Sequence, residues 1–142
     1  MINYGKHKID KEDVKSLVKC LNSNFLTQGP LVDKFENNLK KKFKAKYATV
    51  VSSGTAALHL TSKLLGWKKN DEIICSSISF AASANCILYA NSNVIFSDID
   101  LDTFNIDLNH MEYLLKKRKK VKSLVVTDYG GNPNNWKELN FL

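Results

Sequence analysis

Proline is scarce in this chain, with two residues among 142, and glycine is hardly commoner, with six. That shortage excludes collagen-like and low-complexity disordered architectures. Cysteine is short as well: Cys20, Cys75 and Cys86 are odd in number and scattered, with no Cys-x-x-Cys. Neither a disulfide framework nor a zinc spacing follows, and the three read as buried, inert thiols. His7, His59 and His110 form no ligand cluster either. No apolar run approaches the roughly 18 residues of a membrane span, and the opening MINYGKHKIDKEDVK lacks the apolar centre of a secretory leader. The expectation is a cytoplasmic protein with no membrane partner.

What is present describes a globular chain. Hydrophobic residues make up 44% and charged residues 25% of it, and a domain of this size hides roughly 70% of its unfolded surface. The formal net charge is +7, with runs at Lys40, Lys41 and Lys42 and from Lys116 to Lys120. Such runs are able to neutralise phosphates, so a nucleic-acid binder is one function class to weigh. Each run falls at the end of a predicted helix, however, where cations complement the macrodipole and stay solvated. That placement argues against nucleic acid and leaves attraction to a small anion open.

Periodicity gives the organisation. Asp10 caps a first helix whose Val14, Leu17, Val18 and Leu21 share one face, ending near Asn22. After the loop SNFLTQGP, Pro30 suits the entry to a second helix with Leu31, Val32, Phe35, Leu39 and Phe43 as its buried stripe. From Tyr47 onward short apolar strands alternate with helical segments: YATVV, TAALHLTSKLLG, EIICSS, FAASANCILYA, NVIFS, LNHMEYLLKK and SLVV. Repeated βα units predict an α/β fold, a mainly parallel sheet with helices on both faces. No linker divides residues 1–142, and the chain breaks off at WKELNFL, a helix just beginning.

In open α/β sheets ligands sit at the turns beyond the strands' carboxyl ends. The first such turn, Ser52-Ser53-Gly54-Thr55-Ala56, combines free helix-start amides with hydroxyls, which suits a phosphate. A tight turn closed by Gly54 and a capped helix explain it equally well. It is neither Gly-x-Gly-x-x-Gly nor a Gly-Lys-Ser/Thr loop, so a dinucleotide or triphosphate is disfavoured. At the second, Phe80 precedes the small residues Ala81, Ala82, Ser83 and Ala84, leaving room for a flat partner against its ring. The third holds Asp98, Asp100 and Asp102 without the glycine and distal glutamate of a calcium loop, so caps and turns account for them. The fourth is TDYGGNP, with Asp128 and Tyr129 ahead of Gly130 and Gly131.

Taken in order, NFLTQGPLVDKFE, SSGTAALHL, NDEII, SISFAASAN, VIFSDIDLDTFNID and VVTDYGG resemble the successive segments of the DegT/DnrJ/StrS family of pyridoxal-phosphate sugar aminotransferases, through nearly the whole chain. Within it, FLTQGP, SFAASANCILYA and DYGG look closest to enzymes that aminate the UDP-linked 4-keto-6-deoxy sugar on the route to pseudaminic acid. The resemblance implies the N-terminal part of a fold type I large domain, truncated within its sheet. It implies that pyridoxal 5'-phosphate is the cofactor, held by Gly54, Thr55 and Ala56 with Phe80 stacked on its ring. It brings Tyr4, Asn24, Phe25, Leu26, Thr27 and Ser53 toward a nucleotide-sugar, and allows Asp128 at most a substrate-side role.

The resemblance also implies glutamate as amino donor and a homodimer when full length. Transamination requires a Schiff-base lysine and an acid that keeps the pyridine nitrogen protonated. By the same resemblance both lie beyond Leu142, so this chain is expected to be inactive alone. The alternative is a catalytically inactive cofactor-binding remnant or regulatory member of the same family.

Overall fold

A computed structural model describes residues 5–140. The chain divides into two compact units, residues 1–50 and 51–142.

The first unit contains helices α1, Lys11–Leu21, and α2, Pro30–Phe43. Asp10 begins α1 as expected. Its carboxylate accepts from the Glu12 and Asp13 amides at 2.9 and 3.1 Å, and the Asp13 carboxylate accepts from Asp10 N at 3.0 Å, which satisfies three helix-start donors. Pro30 opens α2 where its missing N–H costs nothing, and Lys44 closes it in the left-handed conformation. The apolar stripes are a correction. Neither helix buries a residue: Leu17 is 60% exposed, Phe35 53% and Phe43 69%. An apolar stripe is buried only where another element covers it, and among the described residues none covers these.

A second correction concerns residues 47–51, the expected strand YATVV. It forms no ladder among the described residues, and the Val50 N–H instead donates to Glu36 Oε1 at 2.9 Å. β-branched residues favour an extended chain, but a strand exists only beside a partner.

The second unit carries α3, Gly54–Leu64; β1, Glu72–Ser76; α4, Ala81–Tyr89; β2, Asn93–Ser97; α5, Leu108–Lys117; β3, Val121–Val125; and a short α6, Trp136–Leu139. The sheet is parallel, in the order β2-β1-β3. Alternation along β1 sends Ile73 and Cys75 to one face, where they pack with Trp67, Cys86, Ile87 and Ala90 from the side of α3 and α4. Ile74 faces the other way, onto Ile106, Met111, Leu114 and Leu139 from the side of α5 and α6. Ile73, Ile74, Ile87 and Met111 are completely buried, each a contribution of about 1.5–3 kcal/mol from removed apolar surface.

Local signals end the elements where they should. Gly66, at φ +64°, turns the chain after α3, and the Asp71 carboxylate accepts from Lys68 N at 2.9 Å to close the turn into β1. Cys75 and Cys86 are buried thiols whose pKa burial raises, whereas Cys20 is only partly buried, so the expectation of three buried cysteines holds for two.

Candidate functional site

α4 leaves the carboxyl end of β1, and the C-terminal halves of α3 and α4 lie together, with Lys63 Nζ donating to Tyr89 O at 3.4 Å and the His59 and Tyr89 rings 5.1 Å apart. The two helices pack against each other over the same face, so both present their N-termini at that end of the unit. Helix starts carry unpaired amides and partial positive charge, which makes the shared end a favourable place for an anion.

The corner preceding α3 is built by Ser53. Its Oγ accepts from Ala56 N at 3.1 Å as an N-cap, and its carbonyl accepts from Ala57 N at 3.0 Å. The Ala56 amide is thus engaged internally, while Gly54 N and Thr55 N have no protein acceptor among the described residues. Thr55 is the second residue of α3, inside the amide-rich first turn. Gly54 carries a correction. Its φ is not positive and a Cβ built there would meet nothing within 4 Å, so no turn requires a glycine at this position. What the missing side chain leaves is open space at the helix start, where Gly54 N and Thr55 N are free. A phosphate fits that arrangement.

Phe80 is the N-cap residue of α4 and is 74% exposed, with no side-chain cap bond to hold it. Behind it Ala82 and Ser83 are buried against the helix's inner face. An aromatic ring standing free at a helix start offers a flat apolar surface to a planar ligand.

Of the other positions singled out from the sequence, Asn24, Phe25, Leu26 and Thr27 lie in the exposed loop between α1 and α2, in the first unit. That loop is shaped by Ser23, whose Oγ donates to Cys20 O at 2.7 Å, and by Gly29, where a Cβ would come within 2.6 Å of Phe25 Cβ. A groove of about 490 Å³ within this unit is walled by Phe25, Leu26, Pro30 and Leu31, with Lys19 and Lys34 also lining it. Tyr4 lies outside the described residues.

The loops after β2 and β3 answer the aspartate question. Asp100 accepts from Thr103 N and Thr103 Oγ1, both at 2.8 Å, and these bonds hold its pKa below the usual carboxylate value. Asp98 receives Ile99 N, while its own amide donates to His110 Nδ1 at 2.8 Å. Both are turn and cap groups, as the sequence led us to expect. Asp128 accepts from Asn134 N at 2.9 Å and Asn134 Nδ2 at 2.7 Å, which lower its pKa and commit its Oδ1 to the loop.

Sequence reasoning missed two residues here. Asn105 and Asn134 are buried and clamp the two loops together: Asn105 Nδ2 donates to Asn132 O and Pro133 O, its Oδ1 accepts from Tyr129 N, and Asn134 Oδ1 accepts from Ile106 N. Asparagine in a loop reads as turn chemistry, and only the spatial meeting of two distant loops shows the clamp.

A parallel sheet flanked by helices, with free amides and an exposed aromatic at adjacent helix starts, places the chain among α/β proteins whose candidate ligand site lies at the carboxyl end of the sheet. The family profile of the DegT/DnrJ/EryC1/StrS aminotransferases matches residues 7–142, and the chain belongs to that family. It is 38% identical to the UDP-4-amino-4,6-dideoxy-N-acetyl-beta-L-altrosamine transaminase of Campylobacter jejuni strain 81-176, over the whole of this chain and 38% of that protein. It is 36% identical to the spore coat polysaccharide biosynthesis protein SpsC of Bacillus subtilis, over 90% of this chain and 32% of the relative. Among solved structures, GDP-4-keto-6-deoxy-D-mannose-3-dehydratase of E. coli with bound hydrated pyridoxal phosphate superposes with a TM-score of 0.87 at 33% identity, across 99% of this chain and 38% of that one. The chain therefore spans little more than a third of the length of these relatives.

Proposed function

We propose that this chain supplies the cofactor-phosphate corner of a pyridoxal 5'-phosphate-dependent aminotransferase acting on a nucleotide-linked 4-keto-6-deoxy sugar, with glutamate as the amino donor, in cell-surface polysaccharide or nonulosonic acid synthesis. The observation that carries this reading is the pairing of free Gly54 and Thr55 amides with open space beside Gly54, at the same end of the unit as the exposed Phe80 ring. The identity to the altrosamine transaminase across the whole chain supports the sugar class.

In this reading the pyridine ring, when bound, serves as the electron sink that lets an amino group pass between carbon skeletons. The chain's own residues position it. Gly54 and Thr55 amides, aided by the α3 dipole, receive the phosphate, and Ser53 holds the helix start in place while its O–H remains available to donate. Phe80 would offer the exposed face of its ring to the planar pyridine. By the family resemblance, nucleotide-sugar recognition falls to Asn24, Phe25, Leu26 and Thr27 of the loop between α1 and α2. Transamination further requires a lysine that bonds the cofactor and an acid that protonates its nitrogen, and the working enzyme in this reading is a cytoplasmic homodimer.

A titration tests the reading. Pyridoxal 5'-phosphate added to the purified chain should quench tryptophan fluorescence saturably, and inorganic phosphate should compete while pyridoxal without its phosphate binds far more weakly. Equal binding of pyridoxal and its phosphate ester would remove the corner from the argument. The inactive, cofactor-binding alternative is favoured by saturable cofactor binding together with the lack of any amine transfer from glutamate to a nucleotide-linked 4-keto sugar.

A further inference from the structure

Basic residues from two loops distant in sequence meet in space. Lys68 and Lys69 precede β1, Arg118, Lys119 and Lys120 precede β3, and Lys116 and Lys117 form the last turn of α5. All are exposed. The two loops are joined at the amino edge of the sheet: Glu72 N donates to Lys120 O at 3.2 Å, and Lys122, the residue bulged between paired positions of β1 and β3, reaches Asp71 at 3.0 Å and Gly66 O at 2.8 Å.

The acids at this edge are already engaged. Asp71 pairs with Lys122, Glu72 with Arg118 at 3.2 Å, and Glu112 with Lys116 at 2.6 Å. Lys68, Lys69, Lys119 and Lys120 have no carboxylate partner among the described residues. Residues 51–142 hold ten basic and nine acidic residues, so their near neutrality hides a separation: Asp98, Asp100, Asp102, Asp107 and Asp128 all follow β2 or β3 at the opposite end. At the end of α3, a few residues before Lys68 in the chain, Leu64 is 79% and Leu65 52% exposed, Leu65 also lining a groove with Trp67, Val125 and Leu139.

We propose that this amino edge is a docking surface for anionic lipid headgroups, with the four unpaired lysines at the phosphate level and Leu64 and Leu65 entering between the headgroups. Juxtaposed lysines attract an anionic bilayer within a Debye length, and adjacent apolar side chains add a contact that a soluble polyanion does not reward. The separation of charge orients the unit, since the acidic end is repelled while the basic end is drawn in. The expectation of no membrane partner rested on the absence of a spanning segment, and peripheral docking needs none. The phosphate corner lies at the other end of the sheet, so docking leaves it open.

The test is co-sedimentation of the protein with vesicles of phosphatidylcholine alone or with 30% phosphatidylglycerol, at 50 and 500 mM salt. Binding is expected only to the anionic vesicles at low salt. The quadruple variant K68E/K69E/K119E/K120E should lower the bound fraction at least tenfold, the corresponding Lys→Gln set should do so less steeply, and L64S/L65S should lower it about threefold. Unchanged thermal midpoints and cofactor uptake in the variants would confirm intact folding, and the glutamine set serves if the glutamate set misfolds. Equal pelleting with neutral vesicles, full binding at 500 mM salt, or indifference to L64S/L65S would overturn the proposal. Tighter retention on a single-stranded RNA homopolymer than on the vesicles would also overturn it, in favour of a polyanion surface.

Discussion

Replacing Gly54 by alanine separates the structural from the functional role of the phosphate corner, because the two respond with opposite sign. Gly54 opens α3 with a backbone that alanine adopts freely, and the added Cβ meets nothing within 4 Å. The substitution therefore restricts the unfolded chain without straining the folded one, a gain of roughly 0.4–1 kcal/mol. For a chain of this size that corresponds to an increase in thermal midpoint of about 1–4 °C. The same methyl takes up open space at the proposed phosphate corner, so affinity for pyridoxal 5'-phosphate should fall at least tenfold, about 1.4 kcal/mol. Thermal unfolding with and without the cofactor reads both quantities in one assay. A lower midpoint without cofactor would contradict the helix-start geometry, and undiminished cofactor affinity would show that the phosphate sits elsewhere.

Other consequences follow from single contacts. Asn134→Ala removes three hydrogen bonds and leaves the Ile106 N–H without its acceptor, a loss of about 2–4 kcal/mol that urea unfolding would measure; a change below about 0.5 kcal/mol would mean the loop clamp carries little. Gly29→Ala must displace Phe25, whose Cβ lies 2.6 Å from the added atom, and is expected to cost about 1–3 kcal/mol and raise proteolytic nicking between α1 and α2. An unchanged cleavage rate would show that the loop accommodates the methyl. The pKa values of Asp71, Asp100 and Asp128 all lie below their ordinary 3.8, lowered by the Lys122 ammonium, by Thr103 and by Asn134 respectively. Depressed carboxylates contribute stability that is fully present above pH 3.8 and is lost as pH falls through their folded values. A pH series of thermal midpoints should therefore decline below about pH 4, and Asp128→Asn should flatten that decline.

Most of the element boundaries were legible because cap and turn chemistry is local. Asp10, Pro30 and Ser53 start helices through atoms close to themselves, and Gly66 and Asp71 close a turn in the same way; Asp107 caps α5 by the same local chemistry without having been singled out. The period-two and helical patterns likewise separated β1, β2 and β3 from the helices between them. The run of small residues before α3 was visible as a helix start, although the reason for its glycine was not: Gly54 satisfies no turn and instead leaves space.

Wherever a role depends on a distant neighbour, the tertiary structure decided it. Residues 47–51 have every propensity for a strand, yet a ladder needs a second chain segment, and the Val50 amide turns to Glu36 instead. The stripes of α1 and α2 are apolar in sequence and exposed in space, since periodicity says which face is apolar and not whether anything meets it. Asn105 and Asn134, 29 positions apart, became a clamp only when the loops after β2 and β3 came together. The lysines before β1 and β3 likewise form one edge because parallel pairing sets the starts of strands side by side, a consequence of hydrogen-bond register that no local pattern encodes.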